Sequence, residues 1–145
     1  MTATTSATAT RPNIFPALRY KDPESALEWL KRAFGLEEKA VYRGDNGAIQ
    51  HAELRLGAGL VMFGQYKEDG WMGGSTPDAL RSTTSIYVVV SDADAHHKRA
   101  REAGAHIVRD IEDMDYDSRE YSARDLEGNL WSFGTYDPYA ASEGA

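Results

Sequence analysis

Apolar and polar positions along this chain change period twice, in the same order. Residues 14–20, "IFPALRY", read as a strand. Asp22-Pro23 then opens a helix, with Asp as the N-cap and Pro at the first helical position. Ala26, Leu27, Leu30, Ala33 and Phe34 recur at helical spacing, and Gly35 supplies the stop. Strands are predicted over 37–43, 48–56 and 60–65, divided by Gly44-Asp45-Asn46-Gly47 and Gly57-Ala58-Gly59. The second half begins on the β-branched run "TSIYVVV" (84–90), continues into a helix capped by Ser91 or Asp92 and closed at Gly104, and ends in strands near 106–109, 119–125 and 130–136.

The predicted fold class is therefore α+β: two βαβββ modules, residues 13–65 and 84–137. Residues 66–83 connect them, 1–12 form a disordered tail, and 138–145 form a C-terminal tail. A repeat of this size makes physical sense, because neither half alone buries a full core. Each helix is expected to cover one face of its sheet, leaving the other face open. Side chains alternate along a strand. Alternation puts Leu54, Leu56, Ile86, Val88, Val90, Trp131 and Phe133 under the helices. The opposite face then carries Phe15, Ala17, Arg19, His51, Glu53, Arg55, Leu60, Met62, Ser85, Tyr87, Leu130 and Ser132. Large apolar groups mixed with a few convergent polar ones are how small-molecule pockets are lined.

These pieces together resemble the vicinal oxygen chelate superfamily of glyoxalases, extradiol dioxygenases and bleomycin-resistance proteins. The matching stretches are "LRYKDPESALEWLKRAFGL" (18–36), "HAELRLGAGLVMFG" (51–64), "VVVSDADAHHKRAREAGA" (88–105) and "RDLEGNLWSFG" (124–134). The resemblance implies curved sheets that form a half-open cleft, and a homodimer. It also implies four metal-ligand positions in metal-using members, which fall here on Phe15, Met62, Ser85 and Ser132. None of the four is a carboxylate or an imidazole, the donors that hard divalent ions prefer. No metal and no other cofactor is expected at that place. Arg19 stands where glyoxalase I members pair an arginine with a glutathione carboxylate.

Composition narrows the chemistry further. There are no cysteines, which excludes disulfides, thiol catalysis and zinc–thiolate sites and suits a reducing cytoplasm. The net charge of -7 argues against nucleic acid as a partner, and the longest apolar run is far short of a membrane span. The lining of the open face and the resemblance point instead to a small-molecule partner.

Within the cleft, His51 and Glu53 lie two apart on one strand and so share a side. They read either as a general base oriented by a carboxylate or as a cross-strand polar pair beside Arg55. Tyr87, Tyr116 and Trp71 are candidates to stack on a flat ligand, with Arg19 and Glu53 orienting it. His96 and His97 fall on the second helix near its alanine arc. Adjacent helical residues diverge by about 100°, so they suit packing better than chelation. "DIEDMDYDSREY" (110–121) is read as a solvated acidic loop or an electronegative lid. Two functions follow. The preferred one is a metal-free binding protein that sequesters an aromatic or cationic molecule, resembling the antibiotic-resistance branch. The alternative is a metal-independent lyase or isomerase using His51 and Glu53.

Overall fold

The structure, a computed structural model, describes residues 11–67 and 84–140. Its elements run β1 (Ala17–Tyr20), α1 (Pro23–Phe34), β2 (Glu37–Arg43), β3 (Ile49–Leu56) and β4 (Gly59–Gln65), then β5 (Ile86–Val89), α2 (Ala93–Glu102), β6 (His106–Met114), β7 (Ser118–Arg124) and β8 (Leu130–Gly134). The βαβββ order therefore occurs twice. Two four-stranded mixed sheets result, ordered β1-β4-β3-β2 and β5-β8-β7-β6. In each, the first strand pairs in parallel with the last, and the remaining pairs are antiparallel.

The chain divides into two compact units. The first holds β1 to β4 and the helix α1 through Lys31; the second holds the last turn of α1, Arg32–Phe34, with β5 to β8 and α2.

Local sequence explains the helices. The Asp22 side chain accepts from the Ser25 N–H, Pro23 sits in the first turn, and Gly35 ends the helix in the left-handed region at φ 76°. Asp92 caps α2 in the same way by accepting from the Ala95 N–H. In the first unit, Ala26, Leu27 and Leu30 bury the helix stripe, and Tyr20, Ala52, Leu54 and Phe63 form the buried strand positions. Ion pairs from Glu24 to Arg43 (2.7 Å) and from Lys31 to Glu38 (3.1 Å) tie α1 to β2.

In the second unit, α2 packs on β6, β7 and β8. Phe34, Tyr121, Trp131 and Phe133 are fully buried there. Phe133 lies 4.8 Å from Phe34 and 5.1 Å from Tyr121, centroid to centroid. As alternation predicted, Trp131 and Phe133 are core residues. The Trp131 indole N–H donates to the Asp125 carboxylate at 3.1 Å. The same carboxylate accepts from the backbone N–H groups of Glu127 and Asn129, which folds the tight turn before β8.

Two expectations change. Residues 110–121 are not a loop: β6 runs on to Met114, and a tight turn through Asp117, at φ 63°, leads directly into β7. Alternating Ile107, Arg109 and Ile111 carry the strand through the acidic stretch, because acidic side chains on an exposed face do not stop backbone pairing. At the other end, β1 is shorter than predicted. Pairing begins where the Met62 N–H donates to the Pro16 carbonyl at 3.0 Å, so Ile14 and Phe15 precede the strand. Pro16 offers no N–H to a ladder.

Candidate functional site

Each unit presents its own open hollow on the sheet face that bears the polar residues. In the first unit the hollow has a volume of about 750 Å³. Arg19, Gln50, His51, Met62 and Lys67 are among its lining residues, and none of the lining residues is Asp or Glu. Parallel pairing places Ala17 opposite Met62, so both β1 and β4 contribute to the wall. Arg19 donates to the Lys67 carbonyl at 2.9 Å and lies 5.4 Å from the Tyr66 ring centroid, which holds the guanidinium across the hollow's edge.

His51 Nε2 is 3.0 Å from Glu53 Oε2, so the two residues that alternation placed together do meet. Lys39 approaches the same carboxylate at 3.3 Å. The hydrogen bond with His51, reinforced by that from Lys39, holds the Glu53 carboxyl below the usual carboxylate range. Tyr42 packs beside the imidazole at 5.8 Å. This leaves an oriented, partly exposed imidazole at the rim of the hollow. Arg55 stands apart, exposed and 3.5 Å from Glu37. Phe15 is exposed and does not line the hollow.

In the second unit the hollow is smaller, about 310 Å³, and is lined by Ser85, Tyr87, Tyr116, Glu120, Ser132 and Tyr136. Parallel pairing of β5 and β8 sets Tyr87 opposite Ser132. The Ser132 hydroxyl lies 2.7 Å from that of Ser122 on β7. Across the β3–β4 pair Glu53 faces Met62, and across the β7–β8 pair Ser122 faces Ser132. The second unit thus has a serine where the first has its carboxylate. Tyr87 donates to the Tyr136 carbonyl at 2.8 Å, and burial pushes its phenol pKa up.

Sequence reasoning missed Glu120. It is 3 % exposed, accepts from Arg109 at 3.0 Å and Ser118 at 2.9 Å, and belongs to the second hollow's wall. Its signal was the alternation of β7 itself, in which Ser118, Glu120 and Ser122 share a face. The strand predicted near 119–125 contains Glu120, but its residues are assigned to neither face from sequence. Gly134 completes the arrangement: a Cβ there would come 2.5 Å from Glu120 Cγ and 2.7 Å from the Tyr87 hydroxyl.

The other candidates fall elsewhere. His96 lies between the Tyr121 hydroxyl (2.6 Å) and the Phe34 carbonyl (2.8 Å), inside the second unit's packing. His97 is buried on α2, 2.9 Å from Asp110. Trp71 lies outside the described residues.

The sequence pattern of the "Glyoxalase/Bleomycin resistance protein/Dioxygenase superfamily" fits residues 14–133. The chain belongs to that superfamily. Rv0887c, an uncharacterised protein of Mycobacterium tuberculosis, is 33% identical over 132 residues, which cover 90% of this chain and 78% of the relative. TioX from Micromonospora sp. ML1 is 36% identical, with a TM-score of 0.68, over 85% of this chain and 94% of its own. The fosfomycin resistance protein FosX from Mesorhizobium loti shares the fold at a TM-score of 0.62 and 16% identity, over 90% of this chain and 97% of its own.

The superfamily's metal-using members raise the question of a divalent ion. The four positions that the resemblance assigns to ligands offer an exposed phenyl ring at Phe15, a thioether at Met62 and two hydroxyls at Ser85 and Ser132, one of them already bonded to Ser122. That donor set does not fit a hard cation. Among the described residues, no three His, Asp or Glu side chains gather as an ion would need. Nor is any helix among them long and apolar enough to cross a membrane.

Proposed function

We propose that this superfamily member binds a small, partly aromatic or cationic molecule without a metal, in the manner of a sequestering or resistance protein. One observation supports this reading above the others. Met62, Ser85 and Ser132, which the resemblance assigns to metal-ligand positions, line the hollows and supply apolar or hydroxyl surface there. A wall that has no metal donors but keeps its concavity is suited to holding a ligand by shape, stacking and hydrogen bonds. The absence of cysteine accords with a cytoplasmic setting.

Titration calorimetry and tryptophan fluorescence against a panel of bleomycin-type and intercalating drugs test the reading. Saturable binding to at least one class is expected. Flat titrations across the panel would sink it.

The His51–Glu53 pair favours a second reading, a metal-independent lyase or isomerase. A carboxylate 3.0 Å from an imidazole orients it as a general base, and Arg19 lines the same hollow, where it can hold an oxyanion. His51→Ala separates the two. Retained ligand affinity with lost turnover identifies the enzyme, whereas weakened binding without any turnover to lose identifies the binding protein.

A further inference from the structure

The two hollows differ in charge. The first is lined by Arg19 and Lys67 with no carboxylate, and the second by Glu120 with no cation. The geometry points to a specific role for Glu120: it selects a planar aromatic ring bearing a cationic N–H group, such as an amidinium or a protonated amine. The ring lies against Tyr87 and Tyr116, and its N–H donates to the Glu120 carboxylate. This inference rests on the small-molecule reading above and names the class of ligand that the second hollow takes.

Three features carry it. Glu120 is almost fully buried, yet it is one of the residues that line the hollow. Arg109 and Ser118 each occupy one of its acceptor sites. An ionised carboxylate offers about four such sites, which leaves room for a further donor from a ligand. Arg109 does not line the hollow and is also 3.9 Å from Glu112, so its charge is shared between two carboxylates.

Second, the rings are set in place before any ligand arrives. Tyr116 and Tyr136 meet edge to face at 5.8 Å, and the Tyr87 hydroxyl is fixed on the Tyr136 carbonyl. Aromatic faces attract a cation as well as a flat ring. Third, Gly134 is the residue that lets Glu120 and Tyr87 approach each other over β8. Any side chain there would meet both. A carboxylate ligand would face Glu120 as a like charge. A neutral isostere would still donate to the carboxylate but would lack the opposite charge that pairs with it.

The test uses the full chain and three probes of equal shape: benzamidinium, benzamide and benzoate. Calorimetry gives the affinities, and amide chemical shifts locate the binding. Benzamidinium is expected to bind with shifts on β7 and β8, benzamide roughly tenfold or more weakly, and benzoate more weakly still. Glu120→Gln is expected to bring benzamidinium down to the affinity of benzamide. Should that variant fail to fold, intermolecular Overhauser contacts between the probe ring and Tyr87 or Tyr116 in the unaltered protein serve instead, together with weaker benzamidinium binding as salt is raised.

Equal affinities for the three probes would overturn the assignment, as would no binding of benzamidinium, shifts confined to the first unit, or an unchanged preference in Glu120→Gln. In any of these cases, saturable drug binding in the panel above leaves the small-molecule reading standing, and only the role of Glu120 falls. Flat titrations in both experiments remove the two together.

Discussion

His96 shows how one side chain couples packing to pH. Its ring nitrogens engage the Tyr121 hydroxyl and the Phe34 carbonyl, and burial, with Arg99 nearby, pulls its pKa below the ordinary value of 6.5. The folded protein therefore keeps this histidine neutral while the unfolded chain takes up a proton. The stability it contributes is complete above about pH 6.5 and is lost as the pH falls from there toward the depressed folded value. Thermal melts between pH 7 and pH 5 should show this loss, and His96→Leu should flatten that part of the profile. The same variant should be less stable at pH 7 by about 1–3 kcal/mol, because the partners of His96 are left buried without a hydrogen bond. A profile as steep in the variant as in the parent would assign the loss to other groups.

Among the elements, α1 is the one most plainly written in sequence. Asp22 accepts from the Ser25 N–H and Gly35 closes the helix at φ 76°, so both ends are specified by short-range chemistry. Asp22→Ala should cost about 1 kcal/mol. Gly35→Ala should also cost about 1 kcal/mol, because an alanine is strained at positive φ. Equilibrium urea unfolding would measure both. The sites lie at opposite ends of the helix, so the double variant should show nearly additive loss. Strand ends were less legible. β6 runs through Asp110, Glu112 and Asp113 because its partner β7 supplies the pairing, and no local signal announces a partner. Glu120 falls inside the strand predicted near 119–125, yet its burial depends on β7 lying between β6 and β8, which no local signal announces.

At the scale of the whole molecule, the cores differ in how they are filled. The second unit concentrates Phe34, Tyr121, Trp131 and Phe133 around His96, all four rings being fully buried. Phe133→Ala should therefore cost about 3–5 kcal/mol in urea unfolding. That is a large share of the roughly 5–15 kcal/mol that holds a protein of this kind folded. A loss below about 1 kcal/mol would show that the ring cluster closes over the gap. The same core fixes the backbones of β7 and β8, which present Glu120 and Ser132 on their other face.

Periodicity, capping and turn chemistry together determined the repeated βαβββ order, the packed side of "GNLWSF" and the shared side of His51 and Glu53. All of these depend on neighbours close in sequence or on strict alternation. The sequence also determined the chemical character of Met62, Ser85 and Ser132. Tertiary structure decided what residues distant in sequence do together. It set Tyr87 beside Ser132, gave Glu120 its partner Arg109, tied Arg55 to Glu37, and left Phe15 ahead of its strand. Those outcomes depend on strand register and on which hydrogen-bonding groups find partners, and both are settled only when the strands pair.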